Sequence, residues 1–94
     1  MQTIEEAILG RLLQQPEFLD ITEIDDSLFK SEKQRRIFNA IKKQWETERN
    51  ADLISIKEKS GCEFSYLMSL TEGIHRINPE QFIQHVKKLG SSPD

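Results

Sequence analysis

The apolar residues of this chain recur at helical spacing, most clearly in the stretch FKSEKQRRIFNAIKKQW at residues 29–45. At about 100° per residue, five side chains of this stretch fall within an arc of roughly 100°, the width of a core-facing stripe: Gln34, Ile37, Phe38, Ile41 and Trp45. The remaining positions are almost all basic or polar. The pattern predicts an amphipathic central helix at about residues 32–48, around which the other helices pack.

Shorter helices are predicted before this one. Thr3 and Glu6 have the spacing of a capping box, which satisfies backbone N–H groups at a helix start. Pro16 suits the first position of a short second helix at residues 16–20, and the next residues turn the chain. Ser31 and Gln34 form a second capping box, where the central helix begins.

Three more helices are predicted after the central one. Asp52 has the character of an N-cap for a fourth helix. A fifth helix at residues 63–72 is expected to end at Gly73, and Asn78 and Pro79 suit the start of a sixth. No segment shows the strict alternation of a strand, so the sequence predicts an all-α bundle of about six short-to-medium helices.

A length of 94 residues suits one small domain, which we place at residues 1–90, with residues 91–94 as a linker stub or terminal tail. A chain of this size buries only about 60–65% of its unfolded surface, so its core must be economical. The large inward-facing side chains are expected to form that core: Ile8, Leu12, Phe29, Ile37, Phe38, Ile41, Trp45, Leu67, Phe82 and Val86.

The charge distribution is uneven along the chain. The net charge of −3 argues weakly against general nucleic-acid binding, which leaves a basic footprint. Residues 17–26 hold five acids and no base, whereas residues 30–43 hold six bases and one acid. Local fields can therefore steer a partner although the total charge is small.

The cellular setting follows from what the sequence lacks. Cys62 is the only cysteine, so it cannot form an internal disulfide or a cysteine-based zinc site, and it is expected to act as a small hydrophobe. No apolar run approaches the roughly 20 residues that span a bilayer, and the first residues lack the features of a signal peptide. We expect a cytoplasmic domain that has no membrane contact.

No residue set in the sequence suggests catalysis. The chain has no G-x-x-x-x-G-K-[ST] phosphate loop. His75 and His85 lie far apart in sequence without other ligands at metal-binding spacing, and the consecutive Asp25 and Asp26 suit a turn. We therefore predict no catalytic residue, no cofactor and no metal site in this chain, and look for function in its partners.

Basic side chains flank the apolar stripe of the central helix on two sides. Arg35 and Lys42 lie on one shoulder, and Arg36 and Lys43 lie on the other. A phosphate-binding face would place such charges on one line with aromatic or small residues between them. Solvated flanks are the favoured interpretation, contact with an acidic protein surface is the second, and nucleic-acid binding is the least favoured.

The fifth helix has two apolar faces. Phe64, Leu67 and Met68 cluster on one side, whereas Tyr66 and Leu70 point nearly opposite. A second apolar face on a short helix indicates either another packing neighbour within the domain or a partner, and tyrosine is a favoured interface residue. Tyr66 and Leu70 are the preferred candidates for partner binding, with internal packing as the open alternative.

Five short motifs occur in an order that is known from one family. They are the E-x-x-V-L-G-x-L-L pattern of the first helix, a Phe eight residues ahead of the Ile of an H-R-x-I-F segment, a helix-opening D-L-I sequence, an aromatic-x-Tyr-Leu stretch and an Asn followed four residues later by an aromatic. In this chain they are carried by Glu5, Ile8, Leu9, Gly10, Leu12, Leu13, Phe29, Arg35, Ile37, Phe38, residues 51–56, residues 64–67, Asn78 and Phe82. In these motifs the chain resembles the N-terminal domain of bacterial replicative DNA helicases of the DnaB type.

The chain departs from the family pattern at three places. Gln34 replaces a histidine, Asn50 and Ala51 replace a Pro-Ile pair, and the glycine-rich loop before the fifth helix is shortened to Gly61 and Cys62. The family's helical hairpin, its linker and its RecA-like ATPase domain are expected to lie beyond these residues.

The resemblance implies an interaction domain without enzymatic activity. It implies that the domain helps to form the collar of a helicase hexamer and to dock primase, so its partners are primase and other helicase subunits. ATP and magnesium are expected only in the ATPase domain. Two alternatives stay open: the helicase-binding C-terminal domain of a primase, which has a similar helical fold, and a small helical DNA-binding module.

Overall fold

Five α-helices and two 3-10 helices make up the parts of the chain that the computed structural model describes, namely residues 4–22, 24–72 and 79–90. The α-helices are α1 (Ile4–Gln14), α2 (Glu32–Glu48), α3 (Leu53–Ser60), α4 (Phe64–Thr71) and α5 (Pro79–Gly90). The 3-10 helices, Pro16–Asp20 and Asp26–Leu28, both lie between α1 and α2. Within the described ranges there is no strand, so the all-α prediction is confirmed.

The segment between α1 and α2 differs from the predicted second α-helix. Pro16 does occupy the first position of a helix, but the five residues form a 3-10 helix, the geometry that short connecting pieces adopt. The predicted turn at Asp25 and Asp26 is a second 3-10 helix. The Asp25 carboxylate caps its start by accepting a hydrogen bond from the Ser27 backbone N–H at 2.9 Å. The capping roles predicted for Thr3, Gly73 and Asn78, and the position of His75, lie outside the described residues.

The central helix α2 spans the predicted residues 32–48, and its apolar stripe faces inward. Ile37, Phe38 and Ile41 are completely buried. Ser31 is the N-cap residue but makes no side-chain capping bond. Gln34, its expected capping-box partner, hydrogen-bonds the Tyr66 side chain.

Two helices, α1 and α2, make most of the contacts between elements of the bundle. The longest helix, α2, packs mainly on α3, α1 and both 3-10 helices, whereas α4 and α5 pack mainly on α1. Phe29 and Phe38 lie with ring centroids 5.2 Å apart, and Phe18 and Phe82 form a second pair at 4.8 Å. The first pair connects the loop before α2 to α2, and the second connects the 3-10 helix Pro16–Asp20 to α5.

Eight of the ten residues predicted for the core are buried: Ile8, Leu12, Phe29, Ile37, Phe38, Ile41, Leu67 and Phe82. Trp45 and Val86 are only half-buried. The buried set also includes Ala40 and Gln44, so the inner face of α2 is wider than the predicted stripe.

Gln44 holds α3 and the α2–α3 loop against α2. Its side chain is only 3% exposed, yet both amide atoms are satisfied, since Nε2 donates to Asn50 Oδ1 at 2.7 Å and Oε1 accepts from Lys59 Nζ at 2.8 Å. Buried amides with complete hydrogen bonding fix the relative position of the elements that they join.

Replacing Gln44 by Met is expected to destabilise the domain by about 1–2 kcal/mol, because the volume is kept while two hydrogen bonds are lost. Gln84→Met, the same change at an exposed position of α5, should alter stability by less than about 0.5 kcal/mol. Urea unfolding followed by circular dichroism measures both. Equal stability of Gln44→Met and the parent chain would show that the Gln44 bonds contribute nothing net.

Candidate partner-binding surface

Tyr66 joins three helices and is not a free surface residue. Its hydroxyl donates to Glu6 Oε2 of α1 at 3.3 Å and also hydrogen-bonds the Gln34 side chain of α2. The Lys33 ammonium of α2 lies 3.9 Å from the centre of its ring, within the range of a cation–π interaction. For this partner-binding candidate the structure therefore supports the internal-packing alternative.

Leu70 cannot contact a partner in this fold, because its side chain is only 1% exposed. For Leu70 too, the structure supports the internal-packing alternative. The reason is that α4 packs on both α1 and α3, so the inner face of the helix is wide enough to cover Leu67 and Leu70 together.

The exposed apolar side chains of α4 are Phe64 and Met68, which are 41% and 39% exposed. The face that the sequence assigns to Phe64, Leu67 and Met68 together is therefore divided, since Leu67 is completely buried. They are four residues apart, so they are neighbours on one face of the helix. Aromatic residues and methionine are enriched at protein interfaces relative to the rest of the surface. We call Phe64 and Met68 the α4 apolar pair.

Arg35 and Arg36, on opposite shoulders of α2, have local structural roles. Arg35 is half-buried, and its Nη1 donates to the backbone carbonyls of Phe29 at 3.0 Å and Lys30 at 3.1 Å. It therefore clamps the loop that enters α2. Arg36 forms an exposed ion pair with Glu32 at 3.0 Å, of the kind that adds little stability.

Lys42 and Lys43 are exposed on different sides of α2. Lys42 lines a groove that also contains Asp25 and Glu46, so acids surround it. The structure does not bring the four predicted basic residues into one continuous patch, because their separation around α2 is kept in the fold.

The pKa of Tyr66 is raised because its side chain lies between helices. Burial is the largest cause, the hydrogen bond with Gln34 acts in the opposite direction, and the charge of Glu6 raises the pKa further. The neutral phenol is therefore favoured in the folded chain.

Tyr66 is the only tyrosine, so the near-ultraviolet absorbance of tyrosinate follows it alone. We expect a titration midpoint above the ordinary value of 10.0, and Glu6→Gln should lower that midpoint. Because the folded chain holds the Tyr66 proton more tightly than the unfolded chain, protonated Tyr66 contributes to the stability of the fold. This contribution is complete below about pH 10 and is lost as the pH rises through the pKa of the folded chain. A midpoint at or below the ordinary value would contradict the placement of Tyr66.

The described residues offer no obvious place for a metal ion, since no three His, Cys, Asp or Glu side chains among them come together. Cys62 is buried, and His85 is exposed on α5. None of the helices in the described ranges is both long and apolar enough to cross a bilayer.

Comparison with known proteins gives one match. The family model described as "DnaB-like helicase N terminal domain" matches residues 1–88. No curated protein and no solved structure was found that matches the chain.

Proposed function

Because this chain belongs to the family of DnaB-like helicase N-terminal domains, we propose that it is an assembly and docking domain of a replicative DNA helicase. In this proposal it helps to form the N-terminal collar of the helicase hexamer and docks primase during DNA replication. It works through surface contacts, and ATP hydrolysis belongs to a separate ATPase domain.

The observation that carries the proposal is the family match, which extends over residues 1–88 of a 94-residue chain. A match of this extent includes all of α1, α2, α3 and α4 and most of α5, so it does not depend on one short motif. It also favours the helicase interpretation over the helicase-binding domain of a primase, because the matched model describes the helicase side of that contact.

The α4 apolar pair is our candidate for the primase-docking contact. Phe64 and Met68 are large apolar side chains that the domain leaves exposed, and an interface usually derives most of its binding energy from a few such anchors. Tyr66, on the same helix, is held by α1 and α2 and keeps α4 in place. The docking surface thus differs from the Tyr66 and Leu70 face that the sequence suggested.

Arg35, Arg36, Lys42 and Lys43 are not assigned to this contact. Arg35 donates to backbone carbonyls and Arg36 pairs with Glu32, so both guanidinium groups already have partners within the domain. This arrangement supports a protein partner over DNA, and direct nucleic-acid binding by the domain is not part of the proposal.

The proposal is tested by calorimetric titration of the domain with the C-terminal domain of the cognate primase. We expect saturable one-to-one binding, at least when the domain is extended by the helical hairpin that follows it in the helicases. If neither form bound primase, the docking claim would be abandoned. Tight, steeply salt-dependent binding of duplex DNA in place of primase would favour the DNA-binding alternative.

A further inference from the structure

A groove of about 380 Å³ lies beside the C-terminal half of α2, where the segment with the two 3-10 helices passes it. Three apolar side chains line it: Ile24 is buried, whereas Leu19 and Trp45 are half-buried. No residue of α4 lines this groove, so it is separate from the surface proposed for primase docking.

The Trp45 ring is held in a fixed position at the groove. Its Nε1 donates to Asp20 Oδ1 at 3.1 Å, and Asp20 Oδ2 in turn pairs with Arg49 at 3.2 Å. The Arg49 guanidinium also lies 5.0 Å from the Trp45 ring centre, and Arg49 lines a neighbouring depression rather than this groove. The ring thus contacts one cation and lines both the groove and the neighbouring depression.

The charged groups that line the groove are mostly acidic, and Arg49 beside the groove pairs with one of them, Asp20. Asp20, Asp25 and Glu46 line it, and Lys42 is the one base among its lining residues. All four are exposed. Hydrogen bonds from the Ser27 side chain and amide lower the pKa of Asp25, so that carboxylate stays ionised at neutral pH.

Acidic residues also dominate the chain segment beside the groove. The described residues of the range 17–26 contain four acids and no base, namely Glu17, Asp20, Asp25 and Asp26. A surface of this sign attracts cationic groups and repels phosphates, and such complementarity sets which partners can approach.

We propose that this groove binds a short segment of a partner protein in which lysine or arginine stands beside a large apolar side chain. The apolar side chain packs against Leu19, Ile24 and Trp45, and the cation lies between the carboxylates, where it is attracted to the π face of Trp45 as well. The inference goes beyond primase docking, because it concerns another surface and a partner that is defined by its charge.

Trp45 is the only tryptophan, so its fluorescence reports directly on the groove. The probe is an amidated hexapeptide of alternating lysine and leucine, and the matched peptide replaces each lysine by glutamate. We expect the basic peptide alone to shift Trp45 emission in a saturable way. The affinity should fall as salt is added, since the rim charges are exposed and are screened.

Two variants with opposite effects test the charge pattern. Asp25→Asn with Glu46→Gln should weaken binding of the basic peptide about threefold or more, whereas Lys42→Gln should strengthen it about twofold, because exposed charges make contributions of this size. The control is Glu58→Gln with Glu80→Gln, which removes two exposed acids outside the groove and should leave the affinity nearly unchanged. Circular dichroism verifies that each variant is folded.

Three results would overturn the inference: no emission change with the basic peptide, equal binding of the acidic peptide, or variants that all bind like the parent. Quenching of Trp45 by a thymidine oligonucleotide but not by the basic peptide would also overturn it. Primase binding by the domain in the same preparation separates this failure from failure of the docking proposal.

Discussion

Phe38→Ala is expected to destabilise the domain by about 3–5 kcal/mol, the usual effect of removing a buried phenylalanine. The Phe38 side chain is completely buried on α2, and its ring lies 5.2 Å from that of Phe29. A domain of this size is stable by only about 5–14 kcal/mol, at about 0.05–0.15 kcal/mol per residue. The substitution therefore removes a large part of the total stability.

Chemical denaturation followed by circular dichroism measures this loss. The control is Phe64→Ala, the same chemical change at a side chain that is 41% exposed, which should destabilise the fold by less than about 1 kcal/mol. Similar losses for the two variants would contradict the inward direction of the α2 stripe.

Replacing both members of the α4 apolar pair by serine is expected to weaken primase binding by about 2–4 kcal/mol, a factor of about thirty or more. The domain itself should stay folded, because Phe64 and Met68 are 41% and 39% exposed. Titration calorimetry with the C-terminal domain of primase gives the change in affinity.

Ile21→Ser is the matched control for this variant. Ile21 is an exposed apolar residue outside α4, with 47% of its surface accessible, so its replacement should leave primase binding within about twofold of the parent. If Phe64→Ser with Met68→Ser bound primase as tightly as Ile21→Ser, the docking surface would have to lie elsewhere.

The helical periodicity was sufficient to predict α2 and most of the core. Ile37, Phe38 and Ile41 recur at a spacing that only a helix can bring to one face, and this property is local. Gln44 could not be predicted as buried, because a glutamine is buried only when partners satisfy its amide. Those partners, Asn50 and Lys59, are supplied by the packing of α3.

The direction of α4 could not be obtained from its own sequence. Phe64, Tyr66, Leu67, Met68 and Leu70 spread apolar or aromatic side chains over about 200° of this short helix, so the sequence does not show which part of that arc is buried. Contacts with α1 and α3 determine which face of α4 is buried. These contacts cover Leu70 and leave Phe64 and Met68 outside.

The roles of Arg35 and Trp45 depend on distant partners in the same way. Arg35 lies on a shoulder of α2 that looks solvated in the sequence, but its guanidinium reaches the carbonyls of the preceding loop. Trp45 belongs to the predicted stripe, yet it is only half-buried. Its indole N–H donates a hydrogen bond to Asp20, which lies 25 residues earlier in the chain. Neither contact leaves a pattern in the local sequence.

Docking of primase through α4 is the main part of the proposed function. Nuclear magnetic resonance measures it most directly, by following the backbone amide signals of the labelled domain while the C-terminal domain of primase is added. We predict that the largest shifts occur along α4 around Phe64 and Met68, with little change at Trp45 in the groove. Unchanged spectra, or shifts confined to helices other than α4, would contradict docking of primase through α4.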